Sequence, residues 1–183
     1  MLPATLPKLL VKISTEHAHV PAQYLKDAEG NFSPRSYEEL FAEVQRFAAG
    51  LKEIGISRGD HVGLISENRP EWMVTDLAVL SIGAADVPRG NDSMAGELAF
   101  ILGFSECETV VVENAEQLAK VASVKDQIKT LKQFIVLDPD FDPASLEGNK
   151  DVGRTKILTY GEVVESGARA LEKHPNQILE DIE

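Results

Sequence analysis

The stretch HVGLISENRPEWMVTDLAVLSIGAADVPRG, residues 61–90, sets two short apolar runs on either side of a helix-like segment. Residues 62–66 form the first run, with the length and the Val, Leu and Ile content of a buried strand. Pro70 suits the first helical turn, where a missing amide hydrogen costs nothing, and Glu71 complements the positive end of the helix dipole. Gly83 closes the helix, and residues 85–88 form a second strand. A strand, a helix and a strand in succession make two parallel strands joined by a crossover.

Toward the C-terminus the alternation continues. Ser93 is the expected N-cap of a helix through Phe104, and residues 109–113 form a third strand. Asn114 and Gln117 resemble a capping box that opens a helix through Leu118, Val121, Ala122 and Ile128, and residues 134–137 supply a fourth strand. Residues 138–156, DPDFDPASLEGNKDVGRTK, are rich in Asp, Pro and Gly without an apolar period, so a loop or mobile excursion is expected there. A last strand at residues 157–158 and a helix opened by a Thr159–Glu162 capping box follow.

Toward the N-terminus, Ser36 and Glu39 form another capping box. The helix they open carries Tyr37, Leu40, Phe41, Val44, Phe47, Ala48, Leu51 and Ile54 at intervals of three and four, and Gly55 ends it. Residues 22–26 and 32–36 flank the turn residues Asp27, Glu29, Gly30 and Asn31 and form a hairpin. Leu6, Leu9, Leu10 and Ile13 share one face of a first helix, and Lys8 and Lys12 break up what would otherwise be a secretory core. The expected fold is therefore α/β: a largely parallel sheet with flanking helices, an N-terminal helix and a β-hairpin, in one unit over residues 1–183.

Composition supports a folded domain. The 183 residues are 43% hydrophobic and 26% charged, within the range for one domain of about 150 residues or slightly more. With 18 Lys and Arg against 30 Asp and Glu, the net charge of -12 repels a phosphate backbone and disfavours nucleic acid as a partner. The single cysteine, Cys107, cannot form an internal disulfide, which fits the cytoplasm. No stretch reaches the roughly 18 apolar residues of a membrane span, and peripheral attachment stays open.

In open parallel sheets ligands bind beyond the carboxyl ends of the strands. The residues there are 66–69, 89–93, 113–114 and Asp138. None carries a Gly-rich phosphate loop. The most polar crossing, PRGNDS at 88–93, offers Arg89, Asn91 and Ser93 as candidates for the edge of a substrate or nucleotide site, against the plainer alternative of a turn and a helix cap. SENRPEW at 66–72 poses the same choice, with capping by Ser66 or Asn68 and packing of Trp72 as the simpler reading. His17, His19, His61 and His174 lack the ligand spacing of a metal site, and Cys107 has no activating neighbour. No catalytic residue and no metal site are assigned.

The order of these motifs resembles the start of the adenylate-forming (AMP-binding) enzymes, and of the long-chain fatty acid CoA ligases within them. The resemblance is carried by TLPKLL, by SYEELFAEVQRFAAGLKEIGISRGDHVGLISENRPEW, and by DLAVLSIGAADVP and ELAFILGFSECETVVVEN. It implies an acid–thiol ligase that uses ATP, Mg²⁺ and CoA to turn a fatty acid into an acyl-adenylate and then a thioester. The family's phosphate loop, Mg²⁺-holding Glu, ribose-binding Asp and C-terminal Lys are missing from these residues.

The resemblance thus implies an N-terminal fragment of a longer ligase, cut naturally or by design. The fragment is expected to bind no cofactor and to be inactive by itself. Its partner would be the missing C-terminal remainder, and an uncovered apolar face would favour a homo-oligomer. VPRGNDS departs from the VPLYPT-like stretch of many relatives and leaves acyl preference open. The alternative is a stand-alone α/β binding or regulatory module of the receiver type. Asp60, which precedes its strand, sits at the wrong edge for that chemistry.

Overall fold

The computed structural model describes residues 3–27, 29–146, 152–153 and 155–183. Its centre is a five-stranded, wholly parallel sheet. Strand β3 (His61–Ile65) lies between β4 (Ala85–Arg89) and β5 (Thr109–Val112), and β6 (Gln133–Val136) and β7 (Lys156–Thr159) extend the sheet beyond β5. The register pairs Val62 with Asp86 on one side and Thr109 on the other, and Val112 with Val136. A separate antiparallel hairpin joins β1 (Pro21–Lys26) to β2 (Phe32–Ser36). The expected α/β class, parallel sheet and hairpin are all present.

Alternation along the strands divides the core in two. Val62, Leu64, Val111 and Ile135 face a layer formed by α1 (Leu6–Glu16), α2 (Tyr37–Glu53), α3 (Pro70–Ser81), α6 (Tyr160–Lys173) and α7 (Gln177–Ile182). Ile65, Val110, Val112, Phe134 and Val136 face α4 (Ala95–Phe104) and α5 (Ala115–Ala122). β5, the run TVVV, is buried on both faces, as a central parallel strand should be.

The tightest helix pair is α2 against α6. A Cβ on Gly50 would lie 2.0 Å from the Val163 carbonyl oxygen, and one on Gly167 would lie 1.8 Å from that of Arg46. Glycine is required at both places because backbone meets backbone there. Beside this crossing, Tyr160 stacks on Phe47 with ring centroids 4.7 Å apart and donates its hydroxyl to Glu43 Oε1 at 2.6 Å. Arg35 pairs with the same carboxylate at 3.0 Å, tying the hairpin to both helices. Burial and the Glu43 carboxylate push the Tyr160 phenol far up from its ordinary range.

Local chemistry accounts for most helix ends. Ser36 and Glu39 bond reciprocally at 3.2 and 2.7 Å, and Thr159 and Glu162 do the same. Gly55, with φ of 98°, follows α2 in a conformation that favours glycine. Several expectations are corrected. Ser93 is not the cap of α4: the cap position belongs to Met94, whose amide donates to Glu97 Oε2 at 3.0 Å. Ser66 and Asn68 do not cap α3, which starts from Arg69 without a side-chain cap.

α5 ends at Ala122 rather than at Ile128. Ile128 is carried back into the core by a 3₁₀ turn at Lys125–Gln127, which preserves the apolar period after the helix has stopped. Only the forward half of the Asn114–Gln117 box forms, with the Gln117 amide 3.1 Å from Asn114 Oδ1.

The expected excursion at 138–156 is anchored at two points. Phe141 and Val152 are buried with the α4–α5 layer, and a 3₁₀ turn forms at Pro143–Leu146. Residues 147–151 and 154 of that segment lie outside the described residues. α7 has no counterpart in the sequence reading. It docks through buried Ile178, the Lys52–Asp181 ion pair and a 2.8 Å bond from Arg58 Nη2 to the Asp181 carbonyl.

Candidate functional site

The chain leaves β3 for β4 on one side of the sheet and leaves β5 for β6 on the other. The carboxyl ends of β3 and β5 therefore diverge and open a crevice, which is where open α/β sheets bind ligands. Glu113, just after β5, organises this crevice. Its Oε2 accepts the Glu67 amide at 2.8 Å and the Asn91 side-chain amide at 3.4 Å. Lys120 on α5 donates to the Asn91 carbonyl. The backbones continue the ladder, with Ser66 N on the Arg89 carbonyl at 3.2 Å and Glu113 N on that of Ile65 at 2.9 Å. Three crossing loops are thereby fixed to one carboxylate.

Beside it lies a cleft of about 250 Å³ lined by Ser66, Glu67, Asn68, Trp72, Arg89 and Gly90. Arg89 also borders a second groove of about 600 Å³ with Ser93, Gly96, Glu97, Phe100 and Ile101. The structure thus separates the three residues singled out from sequence. Arg89 is exposed, and one of its nitrogens donates to the Pro88 carbonyl at 2.9 Å. Asn91 turns inward to Glu113, and Ser93 closes a turn through its amide to the Gly90 carbonyl at 3.2 Å. Trp72 is half-buried against the layer of α1, α2, α3, α6 and α7 and lines the cleft.

Glu113 is the residue that the sequence reading lacked as an organiser. Its position after the strand was visible, but its partners stand 22 and 46 residues away.

The arrangement can position a small polar or anionic group against the Arg89 guanidinium and the Trp72 ring. It does not fit ATP or Mg²⁺. The cleft falls below the roughly 300–1,000 Å³ of most ligand pockets. Among the described residues no group of three or more His, Cys, Asp or Glu converges on one point. Cys107 is buried and burial pushes its thiol up to about 11, which leaves it inert. His61 faces the opposite edge of the sheet, with Nδ1 2.7 Å from the Ser105 carbonyl. Among the described residues no helix is long and apolar enough to cross a membrane.

Comparison with known proteins gives a consistent answer. Residues 17–178 match the AMP-binding enzyme family. The chain is 27% identical over 138 residues to a long-chain-fatty-acid–[acyl-carrier-protein] ligase, AEE15, of Arabidopsis thaliana, covering 75% of this chain and 18% of that protein. It is 35% identical over 135 residues to 4-hydroxybutyrate–CoA ligase 2 of Metallosphaera sedula, covering 73% of this chain and 23% of that protein. The chain thus spans about a fifth of the length of these relatives. Among solved structures, the A domain of a carboxylic acid reductase from Segniliparus rugosus, in complex with AMP and a co-purified carboxylic acid, superposes with a TM-score of 0.72. Its sequence identity is 16% over 88% of this chain and 30% of that one, a likeness of fold.

Proposed function

The chain belongs to the AMP-binding enzyme family, and from that premise we propose that residues 1–183 are the opening α/β unit of the large domain of a long-chain fatty acid CoA ligase. The whole protein joins a fatty acid carboxylate to the α-phosphate of ATP: a carboxylate oxygen–phosphorus bond forms, and the bond to pyrophosphate breaks. The CoA thiol then attacks the acyl carbon and AMP leaves. The family match across residues 17–178 carries this reading, and relatives named for long-chain acyl chemistry support the acid class.

In this reading the unit supplies scaffold. Attack on the α-phosphate needs Mg²⁺ and preorganised donors for the developing charge, and these come from the remainder of the polypeptide. Arg89 contributes at the edge of the acyl or nucleotide site, while Asn91 and Ser93 shape the loop that presents it. A cytoplasmic location accompanies the reading, because the lone Cys107 thiol is buried and unpaired.

The test is thioester formation by the whole protein with ATP and a panel of acetate, 4-hydroxybutyrate, benzoate, laurate and palmitate, offering CoA or acyl carrier protein as acceptor. Turnover with laurate or palmitate and CoA is expected. Turnover confined to the other acids, or to carrier protein, would overturn the acid or the acceptor assignment respectively. In the same protein, Arg89→Ala is expected to raise KM for acid or ATP about tenfold, the loss of one charge-assisted contact.

A further inference from the structure

Given the acyl-ligase reading above, on which this rests, we infer that Glu113 is a positioning residue for Arg89. It holds the loop at residues 89–93 so that the guanidinium meets an anionic oxygen of the substrate, from ATP or from the acid, where the two cavities adjoin.

Arg89 has a fixed backbone and a free side chain. Its carbonyl accepts the Ser66 amide at 3.2 Å, continuing the pairing of β3 with β4. Its side chain is exposed, and among the described residues the guanidinium bonds only to the adjacent Pro88 carbonyl, at 2.9 Å. A guanidinium has five N–H donors, so most of them are left for a ligand. Arg89 borders both the cleft of about 250 Å³ and the groove of about 600 Å³.

The loop that carries this side chain is held at Asn91, from both of its polar ends. The side-chain amide donates to Glu113 Oε2 at 3.4 Å, and the carbonyl accepts the Lys120 ammonium from α5. The same Oε2 accepts the Glu67 amide at 2.8 Å. One oxygen therefore spaces the loop after β4 from the loop after β3, and these two loops line the cleft that Arg89 borders. Freeing Asn91 lets the base of Arg89 drift, and a displacement of about 1 Å in a binding group is enough to weaken its contact severalfold.

Both bonds converge on a single carboxylate oxygen, so a carbonyl oxygen in its place serves as well. Glu113→Gln keeps that acceptor and loses only the charge, whereas Glu113→Ala loses both. A carboxylate that acted directly on substrate or on Mg²⁺ would fail equally in the two variants.

Steady-state thioester formation by the whole protein tests this, with KM measured for palmitate at saturating ATP and for ATP at saturating palmitate. Whichever KM rises about tenfold in Arg89→Ala should rise about fivefold in Glu113→Ala, with kcat within about twofold and an unchanged circular dichroism spectrum. Asn91→Ala, which removes the bond from the loop's side and leaves Glu113 in place, should raise the same KM as much. Glu113→Gln should stay within about twofold of the parent. The Arg89→Ala, Glu113→Ala double variant should match Arg89→Ala at about tenfold and not reach the roughly 50-fold of independent effects. Equal losses in Glu113→Gln and Glu113→Ala, a double variant near that product, a fall in kcat with KM unchanged, or no change in either KM would overturn the role of Glu113 and leave the ligase reading standing. Thioester formation with none of the acids by the parent protein would overturn the ligase reading and this role with it.

Discussion

Asp76 on α3 and Asp86 on β4 share a hydrogen bond across the helix–sheet contact. Burial first, and the Asp86 charge second, raise the Asp76 carboxyl from 3.8 to about 6. A carboxyl raised in the folded state favours folding below its unfolded value and loses that contribution as pH rises through its folded value. Stability from this site is therefore full below about pH 4 and gone above about pH 6. Asp86→Asn removes the repulsion, so the variant should exceed the parent at pH 8 by about 1 kcal/mol, after discounting for the solvent that screens a half-exposed carboxyl. Urea titrations at pH 4 and pH 8 measure the difference, and equal gaps at both pH values would contradict it. Tyr160→Phe leaves the Arg35–Glu43 pair without its third member, and a loss of about 1–3 kcal/mol is expected in thermal or urea unfolding.

Among the elements, the α2–α6 crossing is where backbone geometry leaves least freedom. Gly167→Ala puts a methyl group within 1.8 Å of the Arg46 carbonyl oxygen, so the helices must part. A destabilisation of about 2 kcal/mol or more is expected, together with a lower urea midpoint. Gly161→Ala, on the same helix with open space around it, is the matched control and should change stability by less than about 1 kcal/mol. The sequence shows the capping boxes at Ser36 and Thr159 because each closes within three residues. It shows β3, β5 and β6 because their apolar runs are nearly continuous. It hides the end of α5, because the 3₁₀ turn keeps Ile128 in phase, and it hides the anchors at Phe141 and Val152, because isolated apolar residues in a polar segment have no period. The same limit applies to the crevice. Arg89, Asn91 and Ser93 were visible as a polar crossing, but their separate fates depend on Glu113 and Lys120, which only the folded sheet brings near.

For the whole molecule, the sheet, its crevice and its helical layers form an ordered scaffold, and the chemistry of the family requires groups that the described residues do not assemble. Under the proposed function, residues 1–183 build the frame of an acyl-adenylating ligase and are expected not to adenylate by themselves. Fatty-acid-dependent exchange of labelled pyrophosphate into ATP, measured in parallel on the purified 183-residue chain and on the whole protein, tests it most directly. The account predicts exchange with palmitate by the whole protein and background counts from the chain; palmitate-dependent exchange by the chain alone, or none by the whole protein, would contradict it.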